Sequence, residues 1–137
     1  MSRSSRLHRD APGLVGKVVV VWLLVLAVLG VAAIDAGSIM LTKFHLSDVA
    51  TNAATEGANA LRDSHDENKA CQAAYAYVAS QDPTVKISKQ GCVVNSQAGT
   101  VSITVHKVAK TLLAGRFAFS KEYTKVSATE TNTSSTL

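Results

Sequence analysis

The sequence predicts an α+β fold: a long N-terminal transmembrane helix that extends into a small exported domain, which adds a second helix and an antiparallel sheet of about three to four strands. Three observations predict it. Residues 18–34 (VVVVWLLVLAVLGVAAI) contain no charge and no strongly polar side chain. The chain then continues with a helical, amphipathic period and meets no proline before Pro83. Beyond Pro83 the apolar residues recur at every second position, the period of a half-buried strand.

The apolar run comes first. At about 1.5 Å per residue, residues 18–34 fall slightly short of a hydrocarbon layer of about 30 Å. Leu14 to Gly16 on one side, or residues 36–41 on the other, complete the span, and Lys17 and Asp35 mark its ends. A core helix is rarely apolar on every face over such a length, so residues 18–41 read as a membrane anchor. Arg3, Arg6, Arg9 and Lys17 stand against Asp10 alone in residues 1–17, and such a basic flank stays in the cytoplasm. The expected topology is single-pass in the cytoplasmic membrane, with the C-terminal domain exported to the cell surface side. The net charge of +4 is then mainly a topology signal. A nucleic-acid-binding arm would interleave aromatic residues, and this one does not. Val31-Ala32-Ala33 has the small-residue spacing of a signal-peptidase site. The apolar run is longer than a usual signal core and no breaker follows it, which favours a retained anchor.

Residues 42–63 continue as a projecting amphipathic helix. Ile39, Leu46, Val49, Ala50, Ala53, Gly57, Ala60 and Leu61 gather on one side, opposite Asp48, Asn52, Thr55, Glu56 and Asn59. The stripe narrows at Ala53, Gly57 and Ala60, small enough for a neighbouring backbone to approach, either the chain's own sheet or a partner helix. Ser64-His65-Asp66-Glu67 has the form of a capping box and opens residues 64–130, the small exported domain. Its helix runs to about Gln81 on an apolar face of Cys71, Ala74, Tyr75 and Val78, and Pro83 stops it. Val85 and Ile87 start a strand, Gly91 punctuates it before Cys92, and residues 95–99 read as a hairpin loop. Val101, Ile103 and Val105 alternate in the next strand, residues 111–117 read as a helical turn, and residues 122–130 as a last strand. Residues 131–137 are Ser/Thr-rich and expected to be disordered; Asn132 sits in a glycosylation tripeptide there. In an exported domain this small, Cys71 and Cys92 are expected to form a disulfide. The alternatives are free thiols or a zinc site with His65 and His106, which lacks the usual ligand spacing.

No metalloprotease, nucleophile-elbow, phosphate-loop or CxxC motif is present, so no catalytic, cofactor-binding or metal residue is assigned and no small-molecule substrate is expected. Ser64, His65 and Asp66 are consecutive, which on a helix splays them apart and prevents a triad. Asp35 stands out, because an ionisable group at the lip of a span is costly unless solvated or paired. Ala33 and Gly37 flank it in a small-xxx-small arrangement that favours helix contact in lipid. The expectation is a subunit contact in which Asp35 meets a neighbour's cation, such as Lys17, and serves assembly and not folding of the outer domain. The alternative is a carboxylate simply solvated at headgroup depth.

A basic tail, an apolar span and then Ile34-Asp35-Ala36-Gly37 resembles the start of TadE/TadG-like proteins of the tight-adherence (Flp) pilus system. The Ala-rich helix at residues 41–60, the Val-alternating strand at 101–105, the apolar turn with Leu112, Leu113, Phe117 and Phe119, and the Thr/Ser/Ala-rich strand at 125–130 extend the resemblance over most of the chain after Lys17. Asn52 stands where that family commonly carries Asp, so no role is carried over there. Gly13 and Gly16 are followed five residues later by Val18 and Val21, where a prepilin-type processing site would have Glu. The resemblance implies a pilus-assembly or minor pilin-like structural component, with the bilayer and other pilus or envelope subunits as partners. The alternative is a membrane-tethered envelope binding or accessory module acting alone.

Overall fold

The computed structural model describes residues 12–134. Arg3, Arg6, Arg9 and the last residues of the Ser/Thr-rich tail lie outside the described residues. The α+β expectation holds, with three strands. In chain order the elements are α1 (Pro12–Ser64), α2 (Glu67–Gln81), β1 (Lys86–Asn95), β2 (Thr100–Val108), a short 3-10 turn (Lys121–Thr124) and β3 (Lys125–Thr133).

α1 is a single helix of 53 residues. Nothing in residues 13–64 breaks it, since proline occurs only at its first turn, where the missing N–H costs nothing. It ends one residue later than expected, and the cap of the next helix falls two residues beyond Ser64. Ser64 is the last helical residue, and its hydroxyl bonds back to the Ala60 carbonyl at 2.6 Å. His65 takes a left-handed conformation, φ 53°, and its amide returns to the Leu61 carbonyl at 2.8 Å, which ends the helix. The cap of α2 is Asp66, whose carboxylate accepts from the amides of Asn68 (2.8 Å) and Lys69 (3.3 Å). Both Ser and Asp can cap. Asp66 wins because the sharp reversal at His65 leaves Ser64 inside the preceding helix.

The sheet is antiparallel in the order β1-β2-β3. β2 is central, and its period-two residues Val101, Ile103 and Val105 are fully buried against the helices. α1 supplies Leu46, Val49, Ala50, Ala53, Ala54, Ala58 and Leu61 to that core, and α2 supplies Ala70, Ala74 and Val78. Helices thus cover one face, while Ser102, Thr104 and His106 point to the other. β3 extends to Thr133, so residues 131–133 are not a frayed tail; Thr131, Asn132 and Thr133 pair with Ser102, Val101 and Thr100. The Asn132 amide donates to Thr55 Oγ1 at 2.6 Å, so this side chain is part of the α1–β3 contact. Ser47 on α1 likewise donates to Glu130 at 2.5 Å.

β1 is interrupted. Ile87 faces Val105 and Cys92 faces Ile103, so five steps of β1 oppose two of β2. Gly91 lies in this excursion because a Cβ there would meet the Thr104 carbonyl at 2.7 Å. Directly beyond it, Cys92 bonds to Cys71 of α2, with Cα atoms 5.9 Å apart. The expected disulfide is present and neither cysteine is free, which removes the zinc alternative.

The turn after α2 is organised by Asp82. One carboxylate oxygen accepts from the Thr84 amide (2.9 Å) and hydroxyl (2.6 Å), and the other from Lys107 Nζ (2.6 Å), with His45 Nε2 at 3.3 Å. The Lys107 ammonium foremost, and then the two Thr84 donors, hold the Asp82 carboxyl well below the usual carboxylate range. A depressed folded-state pKa contributes stability that is complete above the unfolded value of about 4 and is lost as the pH falls below it. Asp82→Asn is therefore expected to cost about 1–2 kcal/mol at neutral pH, the pair being partly solvent-exposed. Urea unfolding of the two proteins should converge as the pH is lowered from about 4; a constant gap down the acid range would contradict this account.

Candidate functional site

From Val15 to Gly30 every residue of α1 is exposed. Val18 to Leu26 are 44–62% exposed although all are apolar. Across the most apolar window of the helix the mean hydropathy is 2.8 and only 6% of residues are buried. This is the one helix among the described residues long and apolar enough to cross a membrane. It is bare on every side, unlike the core helix of a soluble domain.

Where this bare segment gives way to the domain, one side chain disappears from solvent. Asp35 is 5% exposed. Its Oδ1 accepts from the Leu112 amide at 2.6 Å, and its Oδ2 from the amides of Leu113 (2.9 Å) and Ala114 (2.8 Å). Successive N–H groups of a turn converge in this way on an anion, and here the anion belongs to the same chain. One turn further along α1, Ser38 Oγ donates to the Lys110 carbonyl at 2.5 Å. At its base the segment is closed by the Ala109 amide on the Thr124 carbonyl, 2.8 Å. Ser120 Oγ ties it internally to the Ala114 carbonyl, 2.7 Å. Residues 109–124 thus form a compact loop whose ends meet, built from turns and not the helical turn expected at 111–117.

This corrects the reading of Asp35. Both carboxylate oxygens are engaged within the chain, so Asp35 is neither solvated nor in need of a cation such as Lys17 from a neighbour. Backbone amides meet the requirement that a buried carboxylate be satisfied. Asp35 therefore positions the outer domain's own loop.

The small residues divide. Ala53 is 0% exposed, and a Cβ on Gly57 would come 2.9 Å from Val101 Cγ1 and 3.2 Å from the Ala70 carbonyl. Of the two readings of this stripe, these two residues follow the first: they are packed inside the chain, against β2 and α2, and not left for a partner helix. Ala60 is half-buried at the margin of the same packing. Ala33 and Gly37 behave oppositely: both are exposed, and nothing lies within 4 Å of a Cβ on Gly37. With Met40 (62% exposed) and Phe44 (67%) they recur at i, i+4, i+7 and i+11, one continuous uncovered face. Lys17 is exposed near the start of α1.

Among the described residues no three His, Cys, Asp or Glu side chains gather as metal ligands would. Ser64, His65 and Asp66 serve the α1–α2 junction. A scan against protein-family models finds no match, and comparisons with curated proteins and with solved structures find none either.

Proposed function

We propose that the chain is a membrane-anchored pilus-assembly or minor pilin-like structural component, of the tight-adherence type its sequence resembles, acting through subunit contacts and not through catalysis. One observation carries the reading: α1 bears its domain on one side only, and the opposite side stays apolar and uncovered past Asp35 as far as Phe44. A bare apolar helix is at home in lipid, and the basic residues before it favour an N-terminus inside the cell. Met40 and Phe44 continue the apolar face past Asp35, where lipid thins out and a neighbouring helix is the natural cover. Ala33 and Gly37 let such a helix come close.

The rival, a tethered envelope module acting alone, would leave Phe44 in water. A photo-crosslinking residue at Phe44, in cells making the full chain, separates the two. The proposal expects adducts with a protein subunit from Phe44 and none from Tyr75, which is on α2. Gly37→Leu should abolish the adduct without altering the amount of folded, disulfide-bonded protein. Absence of protein adducts from Phe44 would overturn subunit contact through this face.

A further inference from the structure

The 109–124 loop carries more exposed apolar surface than its size explains. Phe119 is 81% exposed, Leu112 57% and Phe117 49%, and the two phenylalanine rings lie 5.6 Å apart. Lys110, Arg116 and Lys121 are also exposed and have no ion-pair partner among the described residues; the loop's single acid, Glu122, is paired with Lys125 at 2.9 Å. Large apolar side chains interleaved with unpaired cations form the pattern of an interfacial membrane segment.

The loop's height on α1 supplies the occupant. Asp35 and Ser38 pin residues 110–114 to the helix at the upper end of the apolar run. From Val18 to Asp35 the helix rises about 25 Å, close to the hydrocarbon thickness, so the pinned loop lies at the headgroup layer. Val31, one turn below Asp35 on the same side, is half-buried, whereas residues 27–30 and 32–34 are exposed. The covered strip thus reaches below Asp35; Ile34, next to Asp35 on the span, and Leu112, whose amide Asp35 holds, are both exposed.

We propose that residues 109–124 form an interfacial foot that seats Phe117, Phe119 and Leu112 at the headgroup–acyl boundary of the leaflet where α1 emerges. Lys110, Arg116 and Lys121 face the phosphates of anionic phospholipid. This rests on the reading that α1 crosses a bilayer. Asp35 is then a positioning residue that sets the foot's depth, and the foot stops the domain from swinging about its anchor.

The test uses the full chain in phosphatidylcholine vesicles, with and without phosphatidylglycerol, and lipids brominated at shallow or deep acyl positions. Trp22, the single tryptophan, reports on the span. A Trp22→Phe, Phe119→Trp variant reports on the foot. The expected result is quenching of Trp22 by deep bromines, and of the indole at position 119 by shallow ones. The latter should rise about twofold with phosphatidylglycerol. It should fall to the phosphatidylcholine level when Lys110, Arg116 and Lys121 become Gln, and fall further in Asp35→Ala. Quenching of Trp22 without quenching at position 119 overturns the foot and spares the span. Shielding of position 119 from both bromolipid and aqueous iodide means a second protein covers it, which also overturns the foot. An unquenched Trp22 sinks the membrane reading itself.

Discussion

Gly57→Leu should destabilise the domain by about 3 kcal/mol, whereas the same change at Gly37 should leave its fold intact. At Gly57 even a single methyl group would meet a Val101 methyl at 2.9 Å, the Ala70 carbonyl at 3.2 Å and the Ala74 Cβ at 3.5 Å. A leucine must push α2 and β2 off α1 together, exposing the Ala70, Ala74 and Val101 surfaces that now fill the core. At Gly37 nothing lies within 4 Å, and replacing glycine in a helix gains up to about 1 kcal/mol of propensity. Urea unfolding of both variants by circular dichroism checks the pair. Equal midpoints would mean that the close approach at Gly57 does not limit packing.

Breaking the Cys71–Cys92 bond, by Cys71→Ser with Cys92→Ser, should cost about 3 kcal/mol on the chain-entropy account of a loop this long. The bond spans 21 residues of sequence and joins α2 to β1 just past the interruption at residues 88–91. β1 is an edge strand, held by pairing on one side only. Without the crosslink its release is expected to precede global unfolding, so amide exchange should rise first in β1 and only later in β2 and β3. Uniform acceleration across all three strands would refute that order. Reductant added to the wild-type protein should reproduce the double mutant's midpoint.

Much of this fold was legible in residue pattern. Val101, Ile103 and Val105 announce a half-buried strand because side chains of a strand alternate between faces, and all three are fully buried. The stripe from Leu46 to Leu61 is visible for the corresponding helical reason. What escaped depends on the backbone. Residues 131–133 look like a tail, yet their amides and carbonyls complete a ladder with residues 100–102, to which a Ser/Thr composition gives no clue. Asp35 could be singled out as costly, but its partners are main-chain amides 77–79 residues away, which no side chain advertises. Whether Gly57 served the chain or a neighbour was equally hidden, since close approach of any backbone needs the same small residue. Two reaching groups, Asp66 and Ser64, competed for one cap, and the left-handed turn at His65 decided between them.

The unbroken course of α1 has a mechanical consequence. The apolar half and the domain-bearing half are one rod of about 80 Å with no joint between them. A twist applied to the lower end turns the β-sheet through nearly the same angle, and a tilt of the lower end displaces the tip in proportion to its distance. A helix bends gently unless proline, a bulge or an inserted side chain breaks its ladder, and residues 13–64 contain no proline. Leverage is thus transmitted and not absorbed. Inserting a flexible Gly-Ser pair near Thr42 would convert the rod into a hinge, separating the position of the lower end from the attitude of the domain.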